Sequence, residues 1–155
     1  MSFQILGLPA QPFTPLFELD AAGLAAIGAR RMTAQEPNSA PCRVSLRDAE
    51  PGEELILFNH AHLPTPGTPY RASGPIFVRV GAEPATPARG EVPSVLDWRL
   101  LSSRAYDAEG MMMDADVLEG GDLAARLIAW FADPAIHEVH IHSARRGCYL
   151  ARAVR

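Results

Sequence analysis

The sequence predicts an α+β fold built mainly on an antiparallel sheet of hairpins, with two helices over about residues 21–28 and 122–132. Three observations lead there. Short apolar runs are separated by turn-forming segments such as Asp48-Ala-Glu-Pro-Gly-Glu53 and Asp107-Ala-Glu-Gly110, the punctuation of β-hairpins. Only two segments carry apolar residues at helical spacing. Strands do not alternate with helices, so a parallel sheet is not expected.

The elements follow in chain order. Phe3 to Leu6 is a short apolar run suited to a first strand, after which Pro9, Pro12 and Pro15 keep the chain extended. Asp20 is placed to cap a short helix, with Leu24 and Ile27 as its buried side and Gly28 near its end. Residues 33–41 read as loop. Arg43–Arg47 and Glu54–Asn59 read as paired strands around the Pro-Gly turn, in which proline presets φ and glycine supplies a positive φ. Leu55-Ile-Leu-Phe58 is apolar at every position, which suits a central strand covered on both faces. The three prolines between His60 and Ser73 argue against a ladder there. Ile76–Val80 is the next strand, and Gly81–Pro93 a surface connection.

A second hairpin is expected at Leu100–Tyr106 and Met111–Leu118. Pairing Tyr106 with Met111 sets Arg104 against Met113 and Leu100 against Val117. Gly120-Gly121-Asp122 would cap the second helix, whose Leu123, Leu127, Trp130 and Phe131 share one face; Asp133-Pro134 ends it. The last hairpin joins Glu138–His142 to Cys148–Val154. Setting His142 against Cys148 brings Glu138 opposite Arg152 as a cross-strand ion pair, with Val139, Ile141, Tyr149 and Ala151 on the other face.

At 155 residues, 48% of them apolar and 21% charged, the chain reads as one domain, 1–155, with a real core. The first twelve residues carry no basic residue and no long apolar run, so no signal peptide is expected. No window approaches membrane-spanning length. A cytoplasmic location with no membrane partner is the expectation. All fourteen basic residues are arginine. That excludes Schiff-base lysines, lysine bases and phosphate-loop lysines. The net charge of −4, with arginine pairs only at Arg30–Arg31 and Arg145–Arg146, argues against nucleic acid. Cys42 and Cys148 belong to no CxxC pair and are expected to be free.

Three groups of residues carry candidate chemistry. His60/His62 and His140/His142 form two His-x-His pairs, and on a strand residues i and i+2 share a face. Convergence of the pairs would make a site for zinc or a similar divalent ion. No other cofactor is predicted. Cys148 follows Arg145-Arg146-Gly147, and with His142 opposite it would form a thiol–imidazole pair; packing is the simpler role for both cysteines. Finally, Tyr70, Arg71 and Ser73 sit on a proline-rich loop beside a strand, where an arginine can clamp a carboxylate or phosphate.

The segments PCRVSL, PGE, PYRASGPIFVR and HIHSARRGCYLARAVR resemble an uncharacterised bacterial family, domain of unknown function 1203, nearly end to end. The resemblance implies a complete single-domain protein. It implies no activity, cofactor or catalytic residue, but its motifs fall on Cys42-Arg43, Tyr70–Pro75 and Gly147-Cys148-Tyr149.

The leading expectation is a domain that binds a small anionic ligand between the Tyr70–Ser73 loop and the last hairpin's turn. Arg71 and Arg145 or Arg146 would hold the anion, Tyr70 and Tyr149 would flank it, and His60 or His62 would add polar contacts. The alternatives are an enzyme using the Cys148/His142 thiol or a histidine-bound metal, and a homo-oligomeric interaction module, such as a homodimer, using strand edges or Met111–Met113.

Overall fold

The computed structural model describes residues 2–155. It is an α+β fold of eight strands and four helices, with every sheet pairing antiparallel. The strands are β1 (Gln4–Leu6), β2 (Arg30–Thr33), β3 (Glu54–Leu63), β4 (Ala72–Arg79), β5 (Leu100–Tyr106), β6 (Met112–Glu119), β7 (Glu138–Ser143) and β8 (Tyr149–Val154). They form a five-stranded sheet of order β1-β8-β7-β5-β6 and a three-stranded sheet of order β2-β3-β4. The two expected helices are α2 (Ala21–Ala26) and α4 (Leu123–Trp130); two four-residue helices, α1 (Thr14–Phe17) and α3 (Ser94–Asp97), accompany them. No helix of the described residues is long and apolar enough to cross a membrane.

One face of the five-stranded sheet carries Leu101, Ala105, Val139, Ile141, Ala151 and Ala153, all buried against Leu123, Leu127, Trp130 and Phe131 of the α4 stripe. Strand alternation then sends Ser102, Arg104, Tyr106, Glu138, His140 and His142 to the opposite face. That polar face turns toward the three-stranded sheet. The seam between the sheets contains Phe13, Cys42, Val44, Ile76, Val78 and Tyr149. Central β3 is covered on both faces as expected: Ile56 packs with Leu24 and Ala29, and Leu55 with Ala34, Ala40 and Ala49. Asp20 caps α2 by accepting from the Gly23 amide at 2.8 Å.

Several expectations are corrected. Arg43–Arg47 is not a strand of a hairpin with β3. Leu46 adopts φ +50°, and the segment closes on itself through Cys42 N–H to Arg47 O and Leu46 N–H to Cys42 O. The ladder position beside β3 belongs to β2, whose four residues are all exposed. The Glu50–Glu53 turn does form, with Gly52 at φ +92°, but it joins a loop to β3. Strand β3 runs through His60 to Leu63, and β4 starts at Ala72. The prolines 64, 66 and 69 fall between the two strands, and Pro75 is tolerated because β4 is an edge strand. Ile27 caps α2 at 48% exposure instead of packing under it.

Two registers also differ. In the β5–β6 hairpin Leu100 pairs with Glu119, Arg104 with Ala115 and Tyr106 with Met112, with a bulge near Tyr106. In the last hairpin Glu138 pairs with Val154 and His142 with Tyr149, again with an irregularity at the turn end. The bulge shifts the side-chain alternation by one, which moves Tyr149 onto the histidine face. Arg152 still reaches Glu138 at 3.3 Å, diagonally instead of directly.

Candidate metal centre between the two sheets

Strand β3 extends Ile56, Phe58, His60 and His62 along one face toward the seam. Phe58 and His60 both contact the Phe13 ring, at centroid distances of 6.1 Å. His62 lies at the irregular end of the β3–β4 ladder and stacks on Tyr149, with centroids 5.3 Å apart and planes 8° from parallel. Across the seam, β7 presents His140 and His142, each 1% exposed. Their centroids are 5.8 and 4.9 Å from that of His62.

One ring nitrogen from each of His62, His140 and His142 lies within 4.8 Å of the other two. Each of these rings also has a buried nitrogen without a hydrogen-bond partner: Nδ1 of His62, Nδ1 of His140 and Nε2 of His142. The other nitrogens of the β7 pair are committed. His140 Nε2 is 2.9 Å from Glu138 Oε1, and His142 Nδ1 is 2.9 Å from the Gly147 carbonyl. Both partners can only accept, so each of these nitrogens carries the proton. In the neutral ring, that leaves the unpartnered nitrogen with its lone pair exposed.

Burial first, and then neighbouring positive groups, lower the pKa of His62 to about 4. Burial lowers that of His142 to about 3, against the opposing hydrogen bond to the Gly147 carbonyl. Both rings are therefore neutral at physiological pH, the form that ligates metals. The hydrogen bond from His140 is the main reason that the Glu138 carboxyl titrates below its ordinary range. Arg104 sits opposite His140 on β5, and Tyr106 places its ring 5.0 Å from that of His140. Burial raises the phenol pKa of Tyr149.

Three of the four candidate histidines thus come together. His60 stays half-buried between Phe13 and Tyr149. Cys148 is not opposite His142; its Sγ faces the Arg146 carbonyl at 3.8 Å. Both cysteines are free, Cys42 buried and Cys148 partly so. Tyr70 is 40% exposed, with its ring 6.3 Å from that of Tyr106. Arg71 and Ser73 line a cavity of about 320 Å³ together with Ala61 and Ala72. Arg145, Arg146 and Cys148 line another, of about 770 Å³. Edge strand β6 exposes Met113 and Val117, next to exposed Met111. Glu138 and Arg104 were missed as site residues. For Glu138 the alternation Glu138-x-His140-x-His142 was the available signal; Arg104 becomes a neighbour only through the β5–β7 pairing.

The chain belongs to the family described as protein of unknown function (DUF1203), whose model matches residues 39–155. The match includes all three converging histidines. No curated protein and no solved structure matches the chain significantly.

Proposed function

We propose that the protein binds one divalent metal ion of the zinc type through His62, His140 and His142, in a centre suited to hydrolytic chemistry. The observation that carries this reading is the approach of one nitrogen from each of three histidines, on two sheets, to within 4.8 Å of one another, in rings that each keep a buried nitrogen without a hydrogen-bond partner. An unsatisfied buried polar atom costs roughly 1–3 kcal/mol. Three such rings grouped this closely make an arrangement that a cation would relieve. Glu138 and the Gly147 carbonyl occupy the outer positions that normally orient metal-bound histidines and fix their tautomers. Three protein ligands leave a fourth tetrahedral position, the pattern of catalytic zinc sites. A water there would be acidified toward neutrality, and a carbonyl or phosphoryl oxygen would be polarised. Arg104 would stand beside the charge that develops in such a reaction.

The test is metal analysis and zinc titration of protein purified without a histidine tag. One ion per chain is expected, together with a rise in melting temperature. A hundredfold excess of zinc over its dissociation constant stabilises the folded state by about 2.7 kcal/mol. An unchanged melting temperature and no stoichiometric uptake of zinc, cobalt or manganese would refute the proposal.

A further inference from the structure

A second site lies in the cavity of about 770 Å³ bounded by the β7–β8 turn, the three-stranded sheet and the start of β5. Its wall includes Arg43, Arg99, Arg145 and Arg146 against a single carboxylate side chain, Glu119. This is a concentration of positive charge in a chain of net charge −4. The four arginines are not equivalent. Arg99 is neutralised by Asp48, with Nη2 to Oδ1 at 2.6 Å. Arg145 and Arg146 are exposed and form no ion pair or side-chain hydrogen bond among the described residues.

Arg43 is the unusual one. It is 3% exposed, and its Nε donates to the Tyr149 carbonyl at 2.7 Å while Nη1 donates to the Pro41 carbonyl. No carboxylate pairs with it among the described residues. Burial is the main cause that lowers its pKa to about 10, and the titratable groups that act on it, Cys148, Cys42, Arg99 and Tyr149, include no carboxylate. A buried cation held only by neutral carbonyls is costly unless a counter-charge reaches it. The same cavity also exposes large apolar groups: Trp98 is 53% exposed, Met32 42% and Leu100 41%. A concave site with an apolar wall and a few convergent charged groups is the usual form of a small-ligand pocket.

We propose that this cavity binds a small organic anion, with its phosphate or carboxylate held by Arg43, Arg145 and Arg146 and its apolar body laid against Trp98 and Leu100. The site is separate from the three histidines and does not rest on the metal reading. It keeps Arg145 and Arg146 in the anion-binding role expected from sequence and puts Arg43 where Arg71 was expected.

The test is titration of the full chain with phenyl phosphate, benzoate, inorganic phosphate and neutral benzyl alcohol. It would be read by calorimetry and by tryptophan fluorescence, with and without EDTA. Saturable binding of phenyl phosphate or benzoate is expected, along with a change in Trp98 emission and weaker binding of inorganic phosphate. Preference between the two aromatic anions assigns the head group. The Arg145→Ala/Arg146→Ala double variant alters two exposed side chains, so its fold is preserved. It should weaken binding by about tenfold or more, the scale of charge-assisted hydrogen bonds. In Trp98→Phe the fluorescence change should vanish while the heat of binding remains. The proposal is overturned if neither anion saturates, if the double variant binds equally well, if benzyl alcohol binds as tightly, or if EDTA abolishes binding. That last result would put the anion on the metal centre, whereas failure of the metal reading alone leaves this site intact.

Discussion

His62 and His142 belong to different sheets, yet their ring centroids lie 4.9 Å apart with planes 81° from parallel. Each points a buried nitrogen that has no hydrogen-bond partner, Nδ1 of His62 and Nε2 of His142, into the seam. A neutral imidazole carries one N–H and one lone pair, yet these two nitrogens form no hydrogen bond with each other or with any other described group. A cation can satisfy both.

The variants should therefore separate by position. His62→Ala removes a half-buried ring at the end of β3 and leaves the β7 pair in place. We expect it to abolish stoichiometric zinc binding while circular dichroism and the metal-free melting temperature change little. His60→Ala, outside the triplet, should keep full zinc binding. If loss of His60 eliminated uptake and loss of His62 did not, the ligand assignment would be wrong.

Glu138→Gln addresses the outer contact. The amide can still accept from His140 Nε2, but it no longer provides a negative charge. Such changes behind a metal-bound histidine typically weaken affinity by about ten- to a hundredfold. The expected result is weaker but still stoichiometric zinc binding in a competition titration with a chromophoric chelator. Unchanged affinity would mean that Glu138 serves Arg152 alone.

Asp48 and Arg99 make a two-pronged ion pair at 2.6 and 2.9 Å, with side chains only 11% and 9% exposed. Removing one partner leaves the other charge buried and uncompensated. Asp48→Ala should therefore cost about 3–5 kcal/mol in denaturant unfolding. Replacing both residues with apolar side chains should recover much of that loss. If the double variant were as unstable as the single one, the penalty would lie in the backbone contacts of Arg99 with Val95 and Asn38.

Acid should weaken a different pair. The Glu53 carboxyl takes hydrogen bonds from Arg47 at 2.9 and 3.0 Å and an ion-pair contact from Arg79 at 3.3 Å. The Arg47 hydrogen bond is the main cause that holds its pKa at about 2, below an ordinary 4.5. The unfolded chain takes up this proton near pH 4.5 and the folded chain only near pH 2. The stabilisation is thus complete above pH 4.5 and declines as pH falls toward 2. Because the pair is partly solvated, its size is at most about 1 kcal/mol. In Glu53→Gln, unfolding free energy between pH 5 and pH 3 should fall less steeply than in the parent. Equal slopes would show that other carboxylates dominate.

What could be read before the fold was known follows the range of the interactions. The β5–β6 and β7–β8 hairpins, α2 and α4 are set by turn chemistry and periodicity within a dozen residues, and each forms in the segment those signals mark, although bulges shift the register of both hairpins. Strand β2 escaped because an edge strand with four exposed residues has no alternation to detect. Arg43–Arg47 misled because its strand-like composition conceals the left-handed conformation of Leu46. At the site, the sharing of a face by His140 and His142 was local and legible. The choice of His62 over His60, and the approach of β3 to β7, depend on packing between sheets. Arg43 reaches a carbonyl 106 positions away, which no local pattern announces.

Gly120 shows the same contrast at the scale of one atom. Its sequence context, Gly120-Gly121-Asp122 before α4, suggests freedom for a helix start, yet no side-chain cap forms there. What requires glycine is proximity: a Cβ at residue 120 would lie 2.0 Å from the Leu96 carbonyl oxygen and 2.5 Å from that of Asp97. These are backbone atoms of α3, and the Gly120 amide donates to the Arg99 carbonyl at 2.8 Å, so neither segment can withdraw alone. Gly120→Ala must separate α3 from the start of α4 and disturb the base of the Trp98–Leu100 wall. Overpacking of this kind costs typically about 1–3 kcal/mol, and more where backbone is struck. Gly121→Ala meets nothing within 4 Å and should be nearly neutral in the same unfolding experiment. A comparable loss in both variants would make chain flexibility, and not the close approach to α3, the reason for glycine at position 120.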